Sequence, residues 1–233
     1  MTNAAQDILT LLETLSAAER RDVFDRLRAG TPLHPLETDL NTRAEVVLEA
    51  IRRAGGLVLR MIRGVIAEAA FAVQVVPTLD GWAETTLPGD HAYDLELTDA
   101  AGPVRVQVKL QRSRDHHPMT AHQARRTFSP DHFVVETQRT RGGTAADGSS
   151  TRPYRFGEFD IIAVSLYPST GEWDTFTYSV ARWLIPTSED PAHIFKFQPV
   201  AQTPNSDWTQ DFGEAVSWLR SGREKVISGG TVR

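Results

Sequence analysis

The sequence predicts an α/β fold: a mixed central β-sheet flanked by helices, with a helical segment at the N-terminus. Two patterns predict it. Up to residue 71 the apolar residues recur at helical spacing. From residue 94 onward, short runs either alternate apolar and polar residues or stay apolar between turn signals, as strands do.

Residues 4–29 read as two helices, with Leu9, Leu12, Val23, Phe24 and Leu27 on their apolar faces. The second, in "SAAERRDVFDRLRAG", opens on a capping box of Ser16 and Glu19 and stops at Gly30. "GTPLHPLETDLN" is a Pro-bearing linker that places a boundary near residue 40. Residues 1–40 are then an N-terminal helical segment, 41–225 the main domain, and 226–233 a disordered tail. "NTRAEVVLEAIRRAGG" is a third helix, with Thr42 and Glu45 as a cap pair. "LVLRMIRGVIAEAAF" (57–71) is a fourth, apolar almost all round. On it Arg60, Gly64 and Glu68 stand four residues apart and share one face. Gly64 costs about 1 kcal/mol of helix propensity, which a close backbone approach would justify. Strands follow at 72–76, 94–97 and 104–109, then a short helix at 119–128 and a strand at 132–138. "RGGTAADGSS" is a loop by composition. Residues 159–166 and 173–180 form a hairpin around "YPSTGE", and a closing helix at 208–220 carries Phe212, Val216 and Leu219.

The chain has 233 residues, 40% hydrophobic and 24% charged, enough apolar material for a sizeable core. No run of about eighteen apolar residues exists, so no membrane span is expected. The N-terminus has neither a basic n-region nor a continuous apolar h-region, and there is no cysteine. A cytoplasmic location is the expectation. The net charge of −5 argues against a generally sticky nucleic-acid binder, but its distribution is uneven. Residues 104–156 hold ten basic and four acidic side chains, a local +6. The rest holds fifteen and twenty-six, a local −11. One phosphate-facing stretch on a repelling body would look like this.

The stretch "DLELTDAAGPVRVQVK" (94–109) reads as a hairpin turning at Asp99 to Gly102. Antiparallel pairing sets Leu97 opposite Val104, Glu96 opposite Arg105, Leu95 opposite Val106 and Asp94 opposite Gln107. The leucines and valines share the core face. Asp94, Glu96, Arg105, Gln107 and Lys109 share the other. Glu96 has a cation across the strand and so an ion pair with Arg105. Asp94 faces only an amide, and a carboxylate beside an amide oxygen is a natural half-site for Mg²⁺. Lys109 is one of only three lysines among twenty-five basic residues. It sits where it could orient an attacking water or stabilise charge developing on a phosphate.

Asp94 followed by Gln107-Val108-Lys109 on the next strand resembles the active-site signature of the PD-(D/E)XK nuclease superfamily. Glu68 matches that superfamily's helical acid, and the order of elements over residues 43–166 is similar to its core. Two positions depart from the pattern: Tyr93 precedes Asp94 in place of Pro, and Gln107 replaces an acid, as in some restriction endonucleases. The stretch from Thr151 to Val180 is similar to segments that follow the active site in bacterial type II restriction endonucleases. The resemblance implies a restriction-endonuclease-like core and Mg²⁺-dependent hydrolysis of DNA phosphodiesters. It implies Asp94, Gln107 and Glu68 as metal-site residues and Lys109 as the catalytic lysine. A type II enzyme cutting both strands of a short palindrome further implies a homodimer on double-stranded DNA. A repair or structure-specific nuclease, or a DNA-binding module with a decayed site, are the other readings.

Arg112, Arg114, Arg139, Arg141, Arg152 and Arg155 lie close to this signature in sequence and are the DNA-contact candidates, since Arg grips phosphate as a fork or reads guanine edges. Glu158 and Asp160, at a strand edge, read as structural. The histidines at 116, 117, 122 and 132 match no zinc-ligand spacing.

Overall fold

The computed structural model describes residues 3–30, 34–85, 89, 91–115, 117–139, 143 and 152–229. The chain forms two compact units, residues 1–59 and 60–233.

The first unit holds α1 (Asn3–Thr14), α2 (Ala17–Gly30), α3 (Pro35–Asp39), α4 (Ala44–Arg53) and the start of α5 (Gly56–Ala70). The capping box forms in both directions: Glu19 N–H donates to Ser16 Oγ at 3.3 Å, and Ser16 N–H to Glu19 Oε2 at 2.9 Å. The linker carries α3, which the sequence reading missed; Pro35 opens it and His34 Nδ1 accepts from Leu36 N–H at 3.1 Å. The Thr42–Glu45 cap is not made. The α4 N-cap is Arg43, and Glu45 turns instead to Arg28 at 2.7 Å.

In the second unit α5 continues into a π-helical turn, Phe71–Val75, and a 3₁₀ turn, Val76–Thr78. The strand expected at 72–76 is therefore helical. Ala67, Ala70, Phe71 and Val75 bury along one stripe, and that burial overrides the β preference of the valines. Then come β1 (Ala83–Thr85), β2 (Leu95–Asp99), β3 (Gly102–Leu110), β4 (Ser113–Arg114), β5 (His117–Pro118), α6 (Ala121–Ala124), β6 (His132–Glu136) and β7 (Ile161–Ser165). After them come α7 (Tyr167–Thr170), β8 (Phe176–Val180), β9 (Phe197–Ala201) and α8 (Phe212–Arg220). The central sheet is mixed, in the order β1-β2-β3-β7-β8, with β3 and β7 parallel and the other pairs antiparallel. Two small sheets, β4-β5 and β6-β9, stand apart from it.

The hairpin register is the expected one: Leu95 pairs with Val106, Glu96 with Arg105 and Leu97 with Val104. Its loop is tighter than read, because Asp99 pairs with Gly102, whose φ of +119° suits glycine alone. The second face of the hairpin is partly covered, with Asp94 exposed and Gln107 buried. Val104, Val106, Val108, Ile161 and Ala163 pack with α5 and α8 on one side of the sheet. Ile162 and Val164, alternating with them, pack with Val135, Val200, Trp183 and Trp208 on the other. With both faces covered, every residue of β7 and β8 is buried, and Gln107 is only 1% exposed.

Within the expected tail, Ile227 and Gly229 are held in place. Ile227 is buried, its N–H donates to Trp183 C=O at 2.7 Å, and Gly229 C=O accepts from Ser129 N–H at 3.0 Å. No helix among the described residues is long and apolar enough to cross a membrane.

The expected Glu96–Arg105 pair is not made either. Arg105 grips Asp160 with both Nε (2.9 Å) and Nη2 (2.7 Å), and its backbone N–H also donates to Asp160 at 2.9 Å. Glu96 instead accepts from the Tyr93 hydroxyl at 3.3 Å. A bidentate fork on a carboxylate that also caps the strand outcompetes a single cross-strand contact. Asp160→Ala should therefore lower the unfolding free energy by about 1–3 kcal/mol, while Glu96→Gln should stay within about 0.5 kcal/mol of the parent. Urea midpoints at unchanged slope would measure both.

Candidate active site

Asp94 stands one residue before β2, where its N–H already joins the ladder by donating to Val106 C=O at 3.0 Å. Its carboxylate bends toward β3. Oδ2 accepts from Val108 N–H at 2.7 Å and from the Gln107 amide nitrogen. Oδ1 accepts no hydrogen bond among the described residues. The surrounding protein raises the Asp94 pKa, against the pull of Lys109, the Val108 N–H and Gln107. The side chain nonetheless stays open to solvent along one flank.

Glu68, on α5, lines one concavity with Asp94 and another with Lys109, on β3. Burial first, then the Asp94 charge, lifts the Glu68 pKa to about 7, while Lys109 pulls it down. All three side chains thus lie within electrostatic reach of one another. Lys109 Nζ lies over the Tyr154 ring, 5.2 Å from its centroid. Burial raises the Tyr154 pKa, so its hydroxyl stays neutral at working pH. The Arg139 guanidinium packs over the same ring at 5.4 Å. Tyr154 is a site residue that the sequence reading missed; it sits 45 positions beyond Lys109 in an irregular stretch with no periodic signal.

Glu68 stands between two concavities. One is acid-rich, about 490 Å³, with Glu84, Asp94 and Glu96 in its wall. The other is a basic cleft of about 480 Å³, lined by Lys109 with Arg60, Arg63, Arg112, Arg139 and Arg152. Of the six arginines expected at the substrate, Arg112, Arg139 and Arg152 therefore share a cleft with Lys109. Arg114 and Arg155 are exposed and are not among its lining residues, and Arg141 falls outside the described residues. Arg60 and Arg63, absent from that expectation, line the cleft from the face of α5 that carries Glu68. Two cleft arginines also hold acids: Arg112 bonds Glu136 and Arg139 bonds Glu158, each at 2.5 Å. Gly64 lines the cleft too. No protein backbone approaches it, since a Cβ there would meet nothing within 4 Å, so the expected packing reason for this glycine does not hold.

The donor set is two carboxylates, Asp94 and Glu68, with the Gln107 amide beside them. Among the described residues no three His, Asp or Glu side chains converge on a common point. An all-oxygen set of low charge suits a hard cation that keeps several waters, such as Mg²⁺. It does not suit zinc, which takes nitrogen and sulfur. Gln107 would have to turn its amide to offer oxygen, because its nitrogen now faces Asp94.

The proton affinity of Glu68 has a consequence for the metal-free protein. Its pKa is higher folded (about 7) than in a free chain (4.5), so the folded state binds the extra proton between those values. Stability is then fully present below about pH 4.5 and declines as pH rises through 7. Glu68→Gln should flatten that decline in thermal melts without added metal. A parent and variant with the same slope would disprove it.

No family model matches the chain, and no curated protein matches it. Among solved structures it is similar to a bacterial homing endonuclease, I-Ssp6803I, at 18% identity and a TM-score of 0.36, over 70% of this chain and 92% of that one. At that level of likeness, any reading of the site rests on its own geometry.

Proposed function

We propose that the chain is a Mg²⁺-dependent endonuclease that hydrolyses DNA phosphodiester bonds, and more narrowly a cytoplasmic type II restriction enzyme cutting a short duplex sequence. One observation carries the reading. Glu68 lines both a carboxylate-lined hollow, with Asp94, and an arginine-lined cleft, with Lys109. A cation belongs on the first side and a phosphodiester on the second.

In this reading Asp94 and Glu68, with the Gln107 amide turned to present oxygen, would hold Mg²⁺. When bound, the ion supplies electrophilic stabilisation of the phosphate. Val108 N–H fixes the Asp94 carboxylate through Oδ2 and leaves Oδ1 for the cation side. Lys109, braced on Tyr154, presents its ammonium to the scissile phosphate and stabilises the charge that develops there. Arg60, Arg63, Arg112, Arg139 and Arg152 would receive the strand on either side. Arg114, Arg141 and Arg155 remain candidates for DNA contact at the margin.

Cutting both strands of a palindrome at one encounter takes two sites related by a dyad, so the reading includes a homodimer. Exposed Ile8, Leu11, Leu27 and Leu48 on the N-terminal helices favour that segment as the interface. Light scattering should give twice the chain mass.

Incubation with plasmid DNA and Mg²⁺ tests the proposal. Discrete fragments, abolished by EDTA, are the expected result. Cutting confined to branched or damaged DNA would favour a repair nuclease, binding without cutting a DNA-binding module, and no binding would end the reading.

A further inference from the structure

Just past the end of β3, one more polar residue lines the cleft. This is Gln111, two residues beyond Lys109. It is 1% exposed, yet it forms part of the cleft wall. Its Oε1 accepts from the Ser169 hydroxyl at 2.6 Å, which sets the orientation of the amide. Its Nε2 then finds no acceptor among the described residues. Arg139, in the same cleft wall, is in a matching condition. Its Nη2 bonds Glu158, but its buried Nε has no acceptor among the described residues. Leaving a buried N–H unmatched is unfavourable. Two such donors in one cleft, beside a lysine, ask for an acceptor that carries negative charge.

We propose that Gln111 and Arg139 form a phosphate seat next to the scissile position, taking a non-bridging oxygen of the neighbouring phosphodiester of a DNA strand. The inference rests on the nuclease reading of the site. Gln111 is a positioning residue: it contributes no charge and leaves the metal and Lys109 untouched. Ser169 anchors the amide through its oxygen; both donor nitrogens are closed to solvent in this structure, so the strand takes the seat by parting the side chains that cover them. A phosphate is the better fit than a base edge, because both unmatched groups are donors and the wall around them sets six cations against Glu68, Asp115 and Glu136.

The test uses Gln111→Met, which keeps length and volume and removes both polar atoms of the amide. Binding of a short mixed-sequence duplex is followed by fluorescence anisotropy with Ca²⁺ in place of Mg²⁺, and thermal melting confirms the fold. Gln111→Met should bind about tenfold more weakly, the effect of one charge-assisted hydrogen bond. The slope of log affinity against log salt should not change, since no cation is lost. Arg139→Ala should weaken binding and also reduce that slope by about one. Gln111→Glu keeps the Ser169 contact and turns the donor into an anion, so it should lose more than Gln111→Met. A Gln111→Met protein that binds like the parent would overturn the seat while leaving the nuclease reading standing. Loss with one sequence only would make Gln111 a base reader and overturn it as well. A parent that binds no duplex at all would instead defeat the underlying reading. Ser169→Ala separates positioning from mere presence: it should raise KM for cleavage with kcat nearly unchanged.

Discussion

Asp94→Asn and Lys109→Ala should each lower Mg²⁺-dependent DNA cleavage by about 10²–10³-fold or more, the scale seen when a charge-stabilising group leaves an active site. Asn is the better replacement at 94. Alanine would leave both the Val108 N–H and the Gln107 amide without their acceptor, and the fold would suffer with the chemistry. Asn keeps an oxygen for Val108 and removes the charge. The two variants should fail differently. Asp94→Asn removes half of the carboxylate pair, so Mg²⁺ binding, read by calorimetry, should weaken. Lys109→Ala removes the cation that opposes proton uptake at Glu68 and Asp94, so metal should still bind above neutral pH while the chemical step is lost. Gln107→Glu adds a carboxylate to the set; if position 107 is a ligand, cleavage should persist at lower Mg²⁺. An Asp94→Asn protein that cleaves like the parent would remove Asp94 from the site.

The hairpin that carries this site was legible because its period is two and one face is strictly apolar. Leu95, Leu97, Val104, Val106 and Val108 admit only one register, since a slip of one residue would turn them all to the other side. The convergence of Asp94 with Gln107 followed from that register alone. What sequence could not supply was the choice among partners far apart in the chain. Arg105 had a carboxylate directly across the strand in Glu96, yet it takes Asp160, 55 residues away, because β7 lies parallel to β3 and delivers that acid to the start of the strand. Tyr154, which holds Lys109 and Arg139 over one ring, comes from an irregular segment with no pattern to read. Residues 72–76 misled for a different reason. Their valines favour strands locally, but the stripe from Ala67 to Val75 finds its burial only as a helix. The second sheet, β6-β9, was half invisible because β9 was not read, so the burial of Gln107 on the polar face of the hairpin was not foreseen.

DNA affinity should fall about a thousandfold between roughly 50 and 200 mM salt if the cleft engages about six phosphates, because each neutralised phosphate releases condensed counterions. The cleft wall supplies Lys109 and five arginines, Arg60, Arg63, Arg112, Arg139 and Arg152, on a chain whose net charge is −5. The acidic remainder repels DNA elsewhere, so the salt response should come from this one surface. Arg112 and Arg139 already hold Glu136 and Glu158, so their contribution requires the strand to share or displace those acids. Arg63 has no such acid in the described ion pairs. Replacing Arg63 and Arg139 together by Ala should lower the slope by about two, cutting the loss over that salt range from about a thousandfold to about a hundredfold. Arg114→Ala and Arg155→Ala, whose side chains are exposed away from the cleft lining, should change it less. Anisotropy titrations over a salt series decide the matter. An unchanged slope in the Arg63/Arg139 double variant would place the DNA on another face of the molecule.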